Sequence, residues 1–305
     1  MNITGPESLV MGVDDLEASR LFLKLYGLSE LEHGARGASF EALDGSGVEL
    51  RLLDDPSLPL ANVRGPTLRA SVWGVKGQAD LDALADELAR DRQVKWADGV
   101  LQSVDDDNNA LFFRVSQRRT YEAPGYIRNV PGHKMERFNQ RVNFEEHSPA
   151  RQLGHVVYWT NDPKESIKFY RDRLGFRITD SFRDNMGVFA RAQGHSDHHS
   201  LFLMRPFDDT PPSFQHAEFT FGDAQDVFAG GHKLQKAGFE TARGPGRFEL
   251  GSNWYWYFKS PMGGAFELGA DMDQADDNWV PGEFDHAGVT AGWYFDYNTK
   301  WSRQS

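Results

Sequence analysis

The chain has 305 residues, 39% of them hydrophobic and 13% aromatic, with a net charge of −12 and no cysteine. This is enough for two globular domains of ordinary size, each with its own core, and it is not the composition of a disordered chain. The acidic balance argues against a general nucleic-acid binder, and the lack of cysteine excludes disulfides and thiolate metal sites. No run approaches the roughly 18 apolar residues that span a bilayer. The opening MNITGPESLV lacks the charged and apolar regions of a secretory signal, so a cytoplasmic protein is expected.

In chain order, four units of one pattern are expected, at about 7–55, 65–118, 152–206 and 214–270. The first opens on a strand at Ser8–Val13 and runs through a helix-like stretch to Gly27. The second opens on Leu68–Trp73. Residues 119–150 break the pattern with polar residues, proline and glycine. The third unit opens on His155–Thr160. Asp162 and Pro163 then begin a helix with Ile167, Phe169, Tyr170 and Leu174 at 3.6-residue spacing, and Gly175 closes it. Gly187–Arg191 and Ser200–Met204 read as strands. The fourth unit opens on Ala217–Phe221 and ends in the strands Trp254–Phe258 and Ala265–Leu268. A strand, a helix and about three strands, four times over, give an α+β protein of βαβββ modules. The expected organisation is a structural N-terminal domain of two modules at 1–120 and a linker at 121–150. A metal-bearing catalytic domain of two modules follows at 151–270. The tail at 271–305 holds too many aromatic residues for a disordered segment and is expected to fold back near the site.

The two halves are copies. ESLVMGVDDLEASRLFLKLYGL at 7–28 overlies HVVYWTNDPKESIKFYRDRLGF at 155–176, placing Asp14 on Asp162, Phe22 on Tyr170 and Gly27 on Gly175. The same displacement carries Leu68 onto His216, and a slightly longer one carries Phe112 onto Glu267. Repeats fix architecture, so differences between copies are informative. His155, His216 and Glu267 face Glu7, Leu68 and Phe112, and two of those three bind no metal. His216 shares a strand face with Glu218 and Thr220. Glu267 lies among apolar neighbours in AFELG, where a carboxylate is costly unless paired or bound to a cation. Two imidazoles and a carboxylate cover one face of an octahedral ion and leave the opposite positions open. That suits Fe(II) sites holding an organic substrate and O₂ together. Zinc accepts the same ligand types, but no HExxH helix is present.

The motifs LGHVVYWTND, SDHHSLFLM, QHAEFTF and RGPGRFELGSNWYWYFKSPMGGAFELGADMD resemble the vicinal oxygen chelate superfamily. Within it they resemble the two-domain type I extradiol ring-cleaving catechol dioxygenases, and especially the homoprotocatechuate 2,3-dioxygenase branch. The resemblance covers residues 7 to about 280, and the last motif is the most specific. It implies four βαβββ modules paired into two domains, each an open curved sheet around a cavity. It implies Fe(II), with Mn(II) as the alternative ion, held by His155, His216 and Glu267. The implied substrates are a small aromatic diol and O₂, with no nucleic-acid or membrane partner, in a homo-oligomer (dimer or tetramer). His199 matches the family's acid–base histidine, Tyr257 the tyrosine that hydrogen-bonds the substrate oxygen, and Arg243 an arginine that recognises a substrate carboxylate. Adjacent residues of an extended segment point opposite ways, so only one of His198 and His199 faces the metal, with His198 the fallback. The same alternation sends Trp254, Trp256 and Phe258 to the face opposite Tyr255 and Tyr257.

One position departs from the family. Where it reads Gly-Arg-His, this chain has Gly246-Arg247-Phe248, and phenylalanine donates no hydrogen bond. Either another donor, from the tail, fills that position or O₂ activation is less assisted. Two other readings fit the fold. A glyoxalase-type isomerase or lyase commonly takes metal ligands from both halves, which Glu7, Leu68 and Phe112 do not offer. A non-catalytic protein that binds an aromatic ligand has no need of His199 and Tyr257 beside a full ligand set.

Overall fold

Strand and helix alternate as the repeat predicts, and their ends are set by local chemistry. A computed structural model describes residues 2–123, 129–143, 149–286 and 292–294. The first half runs β1 (Ile3–Val13), α1 (Leu16–Tyr26), β2 (Ser29–Gly34), β3 (Gly37–Glu41) and β4 (Gly47–Leu52). It continues through β5 (Thr67–Val75), α2 (Gln78–Leu88), β6 (Lys95–Ala97), β7 (Val100–Val104) and β8 (Ala110–Val115). The second half repeats the order: β9 (Gln152–Trp159), α3 (Pro163–Lys168), β10 (Arg177–Phe182), β11 (Gly187–Arg191) and β12 (Leu201–Met204). Then come β13 (Ser213–Thr220), α4 (Ala224–Lys236), β14 (Thr241–Arg247), β15 (Trp254–Lys259) and β16 (Ala265–Ala270). The tail adds β17 (Gly282–Phe284) and β18 (Trp293–Tyr294).

Asp15 caps α1 by accepting the Ala18 N–H at 2.9 Å, and Asp162 caps α3 by accepting that of Glu165 at 3.2 Å. Gly27 ends α1 at φ +119°, a left-handed geometry that glycine adopts without steric cost. The helix expected from Pro163 to Gly175 changes pitch partway, because Phe169–Arg173 is π-helical. From that wider turn Tyr170 donates to Asp105 Oδ2 in the first half at 2.7 Å.

The first sheet has the strand order β2-β3-β4-β1-β5-β8-β7-β6 and the second β17-β10-β11-β12-β9-β13-β16-β15-β14-β18. The second is the first with one tail strand added at each edge. In both, the opening strands of the two modules pair antiparallel, and each pairs in parallel with the last strand of its own module.

Two separate cores are expected from the sequence, but one buried cluster runs through both halves, from Ile3 to Ala270. Tyr26 of α1 meets Phe219, Phe221 and Phe266 edge-on at 5.9, 5.6 and 5.8 Å. Trp73 of β5 meets Phe176 at 5.2 Å, and Tyr158 of β9 donates to Ser71 Oγ at 2.7 Å. One helix per module leaves apolar surface uncovered, and the other half covers it.

In the tail, β17 pairs in parallel with β10, and β18 pairs antiparallel with β14. The tail's later aromatic residues, and 124–128 and 144–148 of the linker, lie outside the described residues. Among the described residues no helix is long and apolar enough to cross a membrane.

Candidate metal centre

His155, His216 and Glu267 sit on the three adjacent strands β9, β13 and β16, at the middle of the second sheet. All three are buried, Glu267 completely. The two Nε2 atoms are 3.0 Å apart, and each is 3.2 Å from Glu267 Oε2. Metal–nitrogen and metal–oxygen bonds of ~2.1 Å place neighbouring octahedral ligands ~3.0 Å apart and tetrahedral ones ~3.4 Å apart. The observed triangle fits one face of an octahedron better than a tetrahedral site. Glu267 Oε2 also has no hydrogen-bond partner, although it is fully enclosed. An orphaned buried acceptor costs stability unless a cation meets it, so the residues fit a divalent ion. They are the one set of this kind among the described residues.

Neighbouring side chains hold the triad. Asn253 donates to Glu267 Oε1 at 3.0 Å. Gln215 Oε1 contacts His216 Nδ1. Glu218, buried on the same strand face as His216, brings a carboxyl oxygen to 3.6 Å from His155 Nδ1, which has no hydrogen-bond partner. Burial raises the Glu267 pKa, but contacts with His155 and His216 outweigh it and hold the carboxyl at about 2. Burial is also the main reason His216 falls to about 4 and His199 falls well below the usual histidine range. All three groups are therefore in their ligand or base forms at neutral pH.

A cavity of about 450 Å³ opens beside the triad. His199 lines it, with its ring 4.4 Å from that of His155. Tyr257 lines it with its ring edge-on to His216 at 5.0 Å; burial, then Glu267, raises its pKa well above the usual range and keeps the phenol protonated. Arg243 lies in the wall, its guanidinium 5.1 Å from the centre of the Phe248 ring. Phe248 stacks on Tyr255 at 4.0 Å. Trp256 and Phe258 belong to the main core, on the face opposite Tyr255 and Tyr257, as alternation predicts. His198 is outside the cavity lining. The chain bends at His198, so the two histidines do not splay apart as an extended segment would make them. They stand edge-on at 5.3 Å, with His198 behind His199.

The rest of the wall was not read from the sequence. Phe182, Phe189, Phe202, Met204, Phe207 and Leu250 make it strongly apolar, with Phe189 and Phe202 stacked at 3.9 Å. From the tail, His286 enters the lining at the Phe182 end.

The first half fills the same region differently. Val72 pairs with Phe112 as Glu218 pairs with Glu267. This makes Ala70, not Leu68, the counterpart of His216, because bulges in both opening strand pairs shift the count. Val10, Ala70, Val72 and Ala110 close an apolar interior there, with Phe112 against them.

Residues 152–268 match the model of the Glyoxalase/Bleomycin resistance protein/Dioxygenase superfamily. Metapyrocatechase 2 of Cupriavidus necator is 35% identical over 136 residues, 44% of this chain and 41% of that protein, so the match spans less than half of that relative's length. The iron-dependent extradiol dioxygenase of Rhodococcus jostii (strain RHA1) is 28% identical over 296 residues, 88% of this chain and 90% of that one. The Mn(II)-bound glyoxalase of Novosphingobium aromaticivorans superposes with a TM-score of 0.74 at 21% identity, covering 96% of this chain and 91% of that one. The fold and the resemblance read from the motifs both stand.

Proposed function

Starting from the membership of residues 152–268 in the Glyoxalase/Bleomycin resistance protein/Dioxygenase superfamily, we propose that the protein is an extradiol ring-cleaving dioxygenase. It acts on a catechol-type aromatic and depends on Fe(II), with Mn(II) as the alternative ion. The reading places it in the breakdown of aromatic compounds in the cytoplasm. The observation that carries it is the open triangle of His155, His216 and Glu267 on the wall of an apolar cavity, with His199 and Tyr257 beside it.

His155, His216 and Glu267 hold the ion, and His199, Tyr257 and Arg243 address the substrate. When bound, the ion supplies a chelation site for two adjacent oxygens, charge stabilisation, and a route for electrons between diol and O₂. His199 is kept neutral by burial, takes a proton from the diol and returns it as the ring opens. Tyr257 remains a phenol and donates to a substrate oxygen. Arg243 sets a cation in the wall for a substituent carrying negative charge. The phenyl-lined wall excludes water and packs the ring. The bond broken lies between a hydroxylated ring carbon and its unhydroxylated neighbour, and both atoms of O₂ enter a semialdehyde acid.

The test is O₂ uptake with mono- and bicyclic catechols after loading with Fe(II) and ascorbate, or with Mn(II). We expect one O₂ consumed per diol and a yellow product. A protein that holds the metal yet consumes no O₂ across the panel is not a dioxygenase, and the isomerase or ligand-binding reading then takes its place.

A further inference from the structure

The role proposed for His199 requires a free lone pair on the nitrogen facing the substrate, and a neutral imidazole has two tautomers, only one of which offers it. We propose that Asp180 and His198 set that tautomer: the chain Asp180–His198–His199 fixes every hydrogen-bond direction and leaves His199 Nε2 as the acceptor. Asp180 and His198 are positioning residues in this scheme, which rests on the proposed function of His199.

The argument starts at Asp180. Its side chain is buried and accepts from two groups: the Gly282 N–H reaches Oδ1 at 2.7 Å, and His198 Nε2 stands 2.8 Å from Oδ2. An ionised carboxyl group only accepts, so His198 must carry its proton on Nε2. Nδ1 of a neutral His198 is then a lone pair. It lies 3.0 Å from Nδ1 of His199, so His199 must donate from Nδ1. The remaining nitrogen of His199, Nε2, carries no proton and is the one available to a substrate in the cavity that His199 lines. A proton taken up there stays on His199. The resulting imidazolium keeps its Nδ1–H on His198, and no proton moves along the chain.

The surroundings hold this geometry. The Trp279 ring stands edge-on to His198 at 5.3 Å, and its Nε1 donates to the Thr179 carbonyl at 3.0 Å, next to Asp180. The His198 N–H donates to the Asp273 carbonyl at 2.7 Å. Gly282, Trp279 and Asp273 all come from the segment after β16, so that segment builds the chain of hydrogen bonds.

Asp180→Asn has a definite consequence. An amide that keeps its oxygen toward the Gly282 N–H turns its NH₂ toward His198, which reverses both histidines and puts a proton on His199 Nε2. The test is long-range ¹⁵N–¹³C NMR on the histidine-labelled full chain, metal-free and loaded with diamagnetic Zn(II), joined to kinetics of the Fe(II) enzyme. In the wild type we expect His199 as the Nδ1–H tautomer and His198 as the Nε2–H tautomer, and in Asp180→Asn the reverse. We also expect kcat to fall about a hundredfold in the variant, with KM and iron content nearly unchanged. His199 protonated on Nε2 in the wild type, or unchanged tautomers in the variant, overturns the proposal. The wild-type spectrum decides even where the variant does not fold. If the tautomers are as stated but no catechol is cleaved, the hydrogen-bond chain stands and the dioxygenase reading falls.

Discussion

The two halves share one strand order and differ in what fills the middle of each sheet. In the second half His155, His216 and Glu267 converge within 3.2 Å and leave a carboxylate oxygen without a partner. In the first half the register puts Ser8, which pairs with Val72 as His155 pairs with Glu218, at the place of His155, and its neighbour Glu7 is fully partnered. It accepts from Ser116 Oγ at 2.6 Å and from the Gln117 N–H at 3.2 Å, with Arg114 and Arg118 at 3.5 and 3.7 Å. Ala70 and Phe112 occupy the other two places in an apolar interior. The scaffold thus tolerates a buried polar group either by pairing it within the chain or by leaving it for a cation. The second arrangement opens onto the apolar cavity.

Removing a ligand should break this comparison most severely. Glu267→Ala should abolish turnover and leave iron substoichiometric by elemental analysis, since even second-layer groups change metal affinity 10–100-fold, roughly. Normal iron content in that variant would remove the basis of the metal assignment. His199→Asn separates holding the ion from using it. Iron should remain bound while kcat falls about a thousandfold, the size of effect general-base catalysis gives. Loss of iron together with normal turnover of the residual holoenzyme would show that His199 has a different role.

A change beside the matching place in the first half should affect stability alone. Glu7→Ala leaves Arg114 and the Ser116 hydroxyl facing an emptied pocket while Arg118 keeps Asp44 at 3.0 Å, and unsatisfied buried groups of this kind cost about 1–3 kcal/mol. We expect a lower midpoint in urea with kcat and iron per folded chain unchanged. A fall in kcat without a fall in stability would mean that the first half takes part in the chemistry. Tyr26→Phe probes the link between halves. The Tyr26 hydroxyl donates to the Glu267 carbonyl and accepts from the Phe219 N–H at 3.2 Å, so a first-half residue ties together two ligand-bearing strands. Losing both bonds should cost about 1–2 kcal/mol and weaken metal binding modestly.

These contrasts also show what the sequence carries and what it hides. The duplicated pattern is legible because a helix-opening Asp and a closing Gly recur, Asp14 laid on Asp162 and Gly27 on Gly175, although the residue that caps α1 is Asp15, one place on. The triad is legible because ligand-type residues in one copy face residues of another type in the other. Ala70 was missed as the counterpart of His216 because β-bulges shift register without leaving a mark in composition. Phe182, Phe189 and Phe202 read as ordinary core positions, and only the curvature of the sheet turns them onto a cavity. Asp180 lies 18 residues from His198 and is joined to it by folding alone. Glu218 was within reach, since it shares a face with His216 two residues away.

The smallest effect should come from Phe248, where this chain departs from the histidine of the family it resembles. The ring stacks on Tyr255 at 4.0 Å and carries the Arg243 guanidinium over it at 5.1 Å, so it closes the wall next to Tyr257 with apolar surface. Phe248→His introduces a donor there, and one hydrogen bond is worth about 0.5–1.5 kcal/mol, or roughly two- to tenfold in rate. It also removes apolar area that packs the substrate ring, so KM for a bicyclic catechol should rise as kcat rises. If the wall serves packing alone, the variant shows the higher KM with kcat unchanged, and the absent donor has already been replaced. The described candidate from the tail is His286, at the Phe182 end of the same cavity. His286→Phe in the otherwise unchanged chain then decides: a loss of kcat that adding Phe248→His restores assigns the donor to His286, and an unchanged kcat excludes it.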